Sequence, residues 1–239
     1  EGISIHYEDN VDLIDKNADM VVYTPAIPKD HREFNYYKDH NFEMAKRSDV
    51  LQQVTQSTFN ICVAGTHGKT TISTMVAHIL RHSGYGCNAF LGGISVNYET
   101  NFWSSTSNVS VVEADEYDPS FLKLKPDLAV LTAMDTDHMD IYGTESELEK
   151  AFIAYTTNIK PGGTLWYKFG LKRASELQPE NKKQYSLQNE TATAFAQNIQ
   201  MENGGYVFDV VLERDFLNGL HLNIGGMHNV ENCVVAVAV

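Results

Sequence analysis

Two hydrophobic patterns alternate along this chain of 239 residues. Short, mainly apolar runs, typical of strands buried on both faces of a parallel sheet, occur at 59–64, 109–112 and 128–131. After the first run the apolar residues recur at intervals of three and four, which predicts an amphipathic helix from Thr70 that ends at Gly84. The apolar positions of that helix are Ile72, Met75, Val76, Ile79 and Leu80. Strands that alternate with helices predict an α/β fold with a mostly parallel sheet.

The segment before residue 58 has shorter elements. Its pattern predicts strands at 3–7 and 20–23, a loop at 24–28 because two prolines disfavour a helix there, and a helix at 31–40. These elements form half of an α/β layer that lacks its first strand and helix. The change of pattern near Phe59 therefore predicts two domains, 1–57 and 58–239.

The last third of the chain is less regular. Thr144 and Glu147 have the spacing of a capping box, and the helix that follows ends at Pro161. The apolar face of this helix contains Leu148, Phe152, Tyr155 and Ile159. Residues 172–191 are polar and receive no assignment, whereas 206–212 and 220–224 predict paired strands. Apolar residues at helical spacing predict a final helix at 228–239.

Charge and cysteine content narrow the class of protein. The sequence has 18 basic and 31 acidic residues, which give a formal charge of −13. This charge argues against a protein that binds nucleic acid or anionic membranes nonspecifically, because both repel a negatively charged protein. Three cysteines without a CxxC spacing, Cys62, Cys87 and Cys233, predict buried free thiols and a reducing, cytoplasmic compartment. We expect no signal peptide and no membrane span. The absence of an initial methionine and the apolar end at 233–239 suggest that both ends are cut.

The strongest chemical signal lies between the first buried strand and the first helix. The sequence there is Gly65-Thr66-His67-Gly68-Lys69-Thr70-Thr71. Glycines let the backbone approach phosphates, and amides at a helix N-terminus attract the anion. We therefore expect Lys69, at the exposed end of the loop, to reach the terminal phosphates, and the Thr70 hydroxyl to bind Mg²⁺. The alternative is a strand-to-helix turn with an incidental lysine.

Acidic residues follow the other two buried strands. Glu113 begins the run Glu-Ala-Asp-Glu-Tyr-Asp at 113–118, and His138 lies between Asp137 and Asp140 in the segment 135–142. Because parallel sheets bind ligands at the carboxyl ends of their strands, Glu113 and Thr70 are candidates for one Mg²⁺ site. His138 is a candidate metal ligand or proton-transfer group. The alternatives are a solvated acidic loop and a structural histidine.

The three motifs GTHGKTT, EADEYD and DHMDIYG resemble those of the Mur ligases, the ATP-dependent amide-forming enzymes of peptidoglycan precursor synthesis. The resemblance implies a central P-loop ATPase-like domain at 58–239, preceded by a partial Rossmann-like domain at 1–57 that binds a UDP substrate. It also implies that a carboxy-terminal ligase domain lies outside this chain, so the chain alone should bind ATP weakly and fail to ligate.

The resemblance also assigns residues. It makes Glu113 a ligand of Mg²⁺ and His138 a ligand of a second Mg²⁺. The segment Gly226-Met-His-Asn-Val-Glu-Asn232 resembles one that contacts the adenine side of ATP, which implies roles for His228, Asn229 and Asn232. Several Mur ligases carry a carbamylated lysine in the helix after the histidine motif, where this chain has Phe152.

The implied activity joins L-alanine to the lactyl carboxylate of UDP-N-acetylmuramate through an acyl phosphate. Lys69, Glu113 and His138 would be the catalytic residues, with ATP and Mg²⁺ as cofactors. The first alternative is the related recycling ligase that adds a tripeptide to the same acceptor. The others are a P-loop switch or motor that only hydrolyses nucleotide, and a regulatory nucleotide-binding module without chemistry. Oligomeric state does not follow from the sequence.

Overall fold

The structure is a computed structural model that describes residues 4–24, 26–116, 119–135 and 142–239, with the side chains of 119 and 120 left out. It divides the chain into two compact units, Glu1–Gln53 and Val54–Val239. The sequence predicts a boundary at 57/58, and in the structure a helix covers Arg47–Ser57. The structural division falls within that helix instead.

The amino-terminal unit contains a small parallel sheet. Strands β1 (Val21–Tyr23) and β2 (Met44–Lys46) pair in register, and helix α1 (Arg32–Asp39) lies between them in sequence. The predicted helix is confirmed, and the described positions of the predicted loop, 24 and 26–28, belong to neither a helix nor a strand. The ring of His31 caps α1 by accepting from the Phe34 amide. The predicted strand at 3–7 is wrong, because residues 4–7 are irregular. Among the described residues no strand pairs with this segment, and Tyr7 is 95% exposed.

The second unit is built on a sheet of ten strands. Helix α2 (Arg47–Ser57) leads into it from the first unit. Its strands are β3 (Phe59–Ala64), β4 (Asn88–Ser95), β5 (Thr100–Trp103), β6 (Val109–Glu113), β7 (Leu128–Leu131), β8 (Thr164–Lys168), β9 (Lys182–Ser186), β10 (Ala194–Glu202), β11 (Gly205–Val211) and β12 (Phe216–Leu222). Its helices are α3 (Lys69–His82), α4 (Glu145–Thr156) and α5 (Met227–Ala238), with 3₁₀ turns at Pro119–Lys123 and Ala174–Glu176.

The strand order is β12-β11-β10-β9-β8-β7-β3-β6-β4-β5. Pairing is parallel from β10 through to β4 and antiparallel for β4–β5, β10–β11 and β11–β12. The α/β class and the mostly parallel sheet are therefore confirmed. Strand β3 lies in the middle, between β6 and β7, so the carboxyl ends of these three strands meet at one edge of the sheet.

Several strands have no counterpart in the sequence prediction. Strand β4 contains Gly92 and Gly93, a pair that by itself is equally typical of a turn. Strand β9 falls in the unassigned segment 172–191, and β5, β8 and β10 were not predicted. The predicted pair at 206–212 and 220–224 is confirmed as β11 and β12, with Tyr206 opposite Leu222.

Helices cover both faces of the sheet. Ile61 and Val63 of β3 belong to the same buried cluster as Val76 of α3 and Val234 of α5. Successive strand side chains point to opposite faces, and Cys62 interacts instead with the hydroxyl of Tyr155 on α4. Burial raises the pKa of the Cys62 and Cys87 thiols, and raises that of Cys233 to about 11. All three cysteines are free.

No helix in the part of the chain that the structure describes is long and apolar enough to cross a membrane.

Candidate functional site

The loop between β3 and α3 has the backbone of an anion-binding turn. Gly65 and Gly68 adopt positive φ angles of 122° and 82°, which side-chain-bearing residues rarely adopt. Gly68 is the N-cap of α3, and within the described chain no side chain caps this helix end. The first-turn amides of α3, at Lys69, Thr70 and Thr71, have no partner within the helix and remain available to a ligand.

The segment that follows β7 supports this loop. The Thr132 hydroxyl donates to the His67 carbonyl over 2.5 Å, and the Thr66 amide donates to the Ala133 carbonyl over 3.1 Å. The Asp135 amide donates to the Thr66 hydroxyl over 3.3 Å. A Cβ on Gly65 would lie 2.8 Å from the Ala133 amide nitrogen, so only glycine allows this approach. The loop conformation is therefore held by backbone and hydroxyl hydrogen bonds to residues 132–135.

Lys69 is held by two partners. Its ammonium Nζ lies 2.8 Å from both carboxylate oxygens of Glu116 and donates to the Gly65 carbonyl over 2.9 Å. The expectation of an exposed loop end is wrong for this side chain, which is 11% exposed, while that of Glu116 is fully buried. The ammonium is thus fixed over the loop by a buried counter-ion.

Glu113 and Thr70 lie together, as their positions in the sequence predict. The Thr70 hydroxyl donates to Oε1 of Glu113 over 2.8 Å, and the Gly92 amide donates to Oε2 over 2.7 Å. A Cβ on Gly92 would lie 2.4 Å from Oε1. The close approach of β4 therefore orients the carboxylate. A hydroxyl and a carboxylate beside a phosphate-binding turn are hard oxygen donors of the kind that Mg²⁺ prefers.

His138, Asp137 and Asp140 lie outside the described residues. Tyr142, which follows that segment, is described, and its hydroxyl donates to the Glu116 carbonyl over 2.7 Å. Tyr142 of the histidine motif therefore lies next to the residue that pairs with Lys69.

The start of α5 also reaches the loop. A Cβ on Gly68 would lie 2.9 Å from Oδ1 of Asn232, which places that amide against the turn. The Asn232 side chain donates to Oδ1 of Asn229 over 3.3 Å, and the buried Asn229 amide donates to the Gly225 carbonyl over 2.7 Å. His228 is exposed. Two carboxamides and one imidazole therefore stand at this end of α5, and Asn232 is the one beside the loop.

Phe152 is a core residue of α4. Its side chain is fully buried and packs edge-on against Phe121, with ring centroids 5.7 Å apart. Lys150, the nearest lysine of this helix, is exposed and pairs with Glu147 over 2.6 Å. Neither side chain offers a buried lysine for carbamylation at this helix.

Sequence reasoning overlooked three residues of this site. Glu116 belongs to the acidic run, but a run of acids gives no sign of which carboxylate is buried. Gly92 is not marked by any local signal, because its contact with Glu113 depends on the pairing of β4 with β6. Thr132 directly follows the apolar run of β7, and a hydroxyl at the carboxyl end of a buried strand is a signal that could identify it.

A sequence model of the family described as "Mur ligase middle domain" matches residues 63–239. The chain is 46% identical to the UDP-N-acetylmuramate–L-alanine ligase of Phocaeicola vulgatus over 244 aligned residues, and 46% identical to that of Parabacteroides distasonis over 245. Both alignments cover 100% of this chain and 53% of the relative. The chain thus spans about half the length of these curated relatives.

Solved structures share the fold. The UDP-N-acetylmuramate-alanine ligase MurC from Thermotoga maritima aligns with a TM-score of 0.82 at 24% identity, covering 99% of this chain and 54% of that one. The UDP-N-acetylmuramate:L-alanyl-γ-D-glutamyl-meso-diaminopimelate ligase from Neisseria meningitides aligns with a TM-score of 0.74 at 22% identity. The alignment covers 92% of this chain and 73% of that one.

Proposed function

The chain belongs to the Mur ligase family, and we propose on that premise that the protein carrying it is an ATP-dependent ligase that joins L-alanine to the lactyl carboxylate of UDP-N-acetylmuramate. One observation carries the proposal. The Lys69 ammonium, the Thr70 hydroxyl and the Glu113 carboxylate stand together at an uncapped helix end, beside a glycine turn that requires positive φ. The relatives of 46% identity bear the name of this activity.

The loop residues would bind and orient ATP. The amides at 69–71 would donate to phosphate oxygens, and Lys69 would place its positive charge against the phosphoryl group that is transferred. The lactyl carboxylate attacks the γ-phosphorus, the bond to the β,γ-bridging oxygen breaks, and ADP leaves with that electron pair. The product is an acyl phosphate, and no protein nucleophile is required.

The second half of the reaction forms the amide. The amine of L-alanine, having lost a proton, attacks the acyl carbon, and inorganic phosphate leaves with the electron pair of the C–O bond. A second proton is lost from nitrogen as the amide forms. Fixed donors that match the developing charge would lower this barrier, which is the role of Lys69 and the loop amides.

The oxygen donors of Thr70 and Glu113 fit Mg²⁺, since both are hard ligands already 2.8 Å apart and Gly92 orients the carboxylate. When bound there, Mg²⁺ would neutralise negative charge on the phosphates. We assign His138 to a second Mg²⁺ on its motif alone. On the same basis we assign Asn229, Asn232 and His228 to the adenine side, where amides can both donate and accept.

The remaining features are compatible with this proposal. The formal charge of −13 disfavours nucleic acid as a partner, and an anionic substrate responds to its local site rather than to net charge. Free cysteines fit the reducing, cytoplasmic compartment that we propose. Residues 1–53 would belong to the domain that binds the UDP substrate.

The test is ATP consumption by the protein that carries this chain, with UDP-N-acetylmuramate as acceptor and either L-alanine or the tripeptide as donor. We expect ADP release that requires both the acceptor and L-alanine, and an L-alanyl product detected by mass spectrometry. Turnover with the acceptor and the tripeptide, but not with the acceptor and L-alanine, would assign the recycling activity instead. ADP release without acceptor or donor would favour a nucleotide-hydrolysing switch and contradict the ligase.

A further inference from the structure

A buried carboxylate lies beside the phosphate loop and has no part in the proposed chemistry. Glu116 is fully buried, and both of its carboxylate oxygens lie 2.8 Å from Nζ of Lys69. Burial of a carboxylate is unfavourable unless a cation and hydrogen bonds compensate it. The Lys69 ammonium provides that compensation, so the two side chains determine each other's position.

The backbone around Glu116 is fixed from two directions. The Ala114 amide donates to the Val63 carbonyl at the end of β3, over 2.9 Å. The Tyr142 hydroxyl donates to the Glu116 carbonyl over 2.7 Å. The carboxylate is therefore attached to a fixed segment, and it can hold Lys69 in one place rather than follow it.

The ammonium has three N–H donors, and one of them is used by the Gly65 carbonyl. A second donates to Oε1 of Glu116, and Oε2 of the same carboxylate also lies 2.8 Å from Nζ. A phosphate oxygen that binds Lys69 must therefore share the ammonium with the Glu116 carboxylate. The negative charge of Glu116 thus opposes the binding of an anionic ligand, while its fixed position favours one orientation of the ammonium.

We propose that Glu116 is a positioning residue for Lys69, which rests on the proposed function of the loop. It holds the ammonium over the phosphate site before nucleotide arrives and remains its counter-ion afterwards. The charge of Glu116 weakens binding of the nucleotide in the ground state. The orientation that Glu116 imposes on Lys69 matters most in the transition state.

The experiment separates binding from turnover. In Glu116→Gln the charge is lost but an acceptor of similar shape remains. We expect nucleotide to bind about three- to tenfold more tightly, because a nearby negative charge is removed, and kcat to fall about tenfold or more, because Lys69 is less well oriented. Binding is measured by calorimetry with a non-hydrolysable ATP analogue, and kcat by product formation.

Two further variants and one control complete the design. Glu116→Asp keeps the charge and shortens the reach, so kcat should fall without tighter binding. Tyr142→Phe removes the hydroxyl that fixes the Glu116 carbonyl and should lower kcat alone. Glu147→Gln removes an exposed ion-paired carboxylate on α4 and should change neither constant.

Glu116→Gln with both constants within twofold of wild type would overturn the inference. If Glu116→Gln does not fold, Glu116→Asp and Tyr142→Phe test the inference instead. A wild-type kcat in both of these variants would overturn it. Weaker binding in parallel with a lower melting temperature would indicate a structural role only, and would also overturn it. Failure of the wild-type protein to ligate contradicts the proposed function itself, so the two failures are distinguishable.

Discussion

Lys69 and Glu113, the two charged residues central to the proposed chemistry, are each held by a partner. The Lys69 ammonium bonds to Glu116 and the Gly65 carbonyl, and the Glu113 carboxylate bonds to Thr70 and the Gly92 amide. Such partners restrict side-chain motion before a ligand binds, and this reduces the cost of ordering the site. Changes at these residues should therefore affect both function and local stability.

Lys69→Ala should abolish ATP turnover. Loss of the cation that orients the phosphates removes transition-state stabilisation, on the order of 10³-fold in kcat. It also leaves the Glu116 carboxylate buried without its cation, which should lower the free energy of unfolding by about 3–5 kcal/mol. Steady-state kinetics and urea denaturation measure the two effects.

The double variant Lys69→Ala/Glu116→Gln tests the origin of the stability loss. With the buried charge removed as well, most of the lost stability should return while turnover stays absent. Equal unfolding free energies for the single and double variants would contradict the buried-pair explanation. Near wild-type turnover in Lys69→Ala would contradict the assignment of the loop.

Gly92→Ala should displace the Glu113 carboxylate, because the new Cβ would lie 2.4 Å from Oε1. The atom in the way is the end of a flexible side chain, so the fold should tolerate the change. We expect the Mg²⁺ concentration required for half-maximal activity to rise on the order of tenfold, the effect typical of a lost orienting contact.

Gly225→Ala is the matched control, since its Cβ would meet only the Gly204 carbonyl, at an ordinary 3.5 Å. It should leave the Mg²⁺ requirement unchanged. An unaltered Mg²⁺ requirement in Gly92→Ala would show that β4 does not position Glu113.

At the scale of elements, burial on both faces decides what the sequence can predict. Strands β3 and β7 match their apolar runs because every side chain but those at the first position is buried. Strand β10 alternates buried and exposed positions and then becomes exposed, so it carries polar residues that obscure the pattern. In β4, the two glycines imitate a turn, although pairing with β6 makes the segment a strand.

The candidate site is likewise predicted only in part by local sequence patterns. Local spacing predicts the loop 65–71, and parallel-sheet topology predicts that Glu113 lies near Thr70. Neither rule identifies Glu116 as buried, because that depends on how Ala114 and Tyr142 fix the segment in space. Long-range contacts, rather than local propensity, supply what the sequence does not predict.

Helix α4 offers a direct comparison of a core and a surface residue two positions apart. Phe152→Ala should lower the free energy of unfolding by about 3–5 kcal/mol, because it leaves a cavity against Phe121. Lys150→Ala removes only an exposed ion pair with Glu147 and should cost less than about 1 kcal/mol. Urea denaturation of both variants measures the difference, and similar losses would contradict the packing of this helix.

The side chains of the same helix indicate that enzyme activity does not depend on bicarbonate. Phe152 is buried and Lys150 lies on the exposed side, since two residues turn a helix by about 200°. Activity of enzyme depleted of carbon dioxide should therefore not rise when bicarbonate is added. A strong rescue would show that a carbamylated lysine contributes from elsewhere.

For the molecule as a whole, burial differs sharply between the two units. Among the described residues of Glu1–Gln53 only Leu51 is buried, whereas the second unit contains a continuous apolar cluster on its sheet. Regions with few buried contacts open more often than core strands.

Hydrogen exchange should show this contrast. We expect amides of β1 and β2 to exchange at least about 100-fold faster than those of β3, β6 and β7, which lie inside the parallel sheet. Mass spectrometry of peptides from the exchanged chain measures the rates. Comparable protection in both sets would mean that the first unit is stabilised by more than its own burial.

The central place of β3 has a consequence for the order in which the molecule is made. Val63 pairs with Glu113 on one side and Val130 on the other, and both partners leave the ribosome long after β3 does. Until then an apolar strand and the glycine loop behind it stay unpaired, and such segments are prone to aggregate or to recruit chaperones. Because pairing distant strands is slow, the phosphate loop takes its final shape late in folding, although its residues are synthesised early.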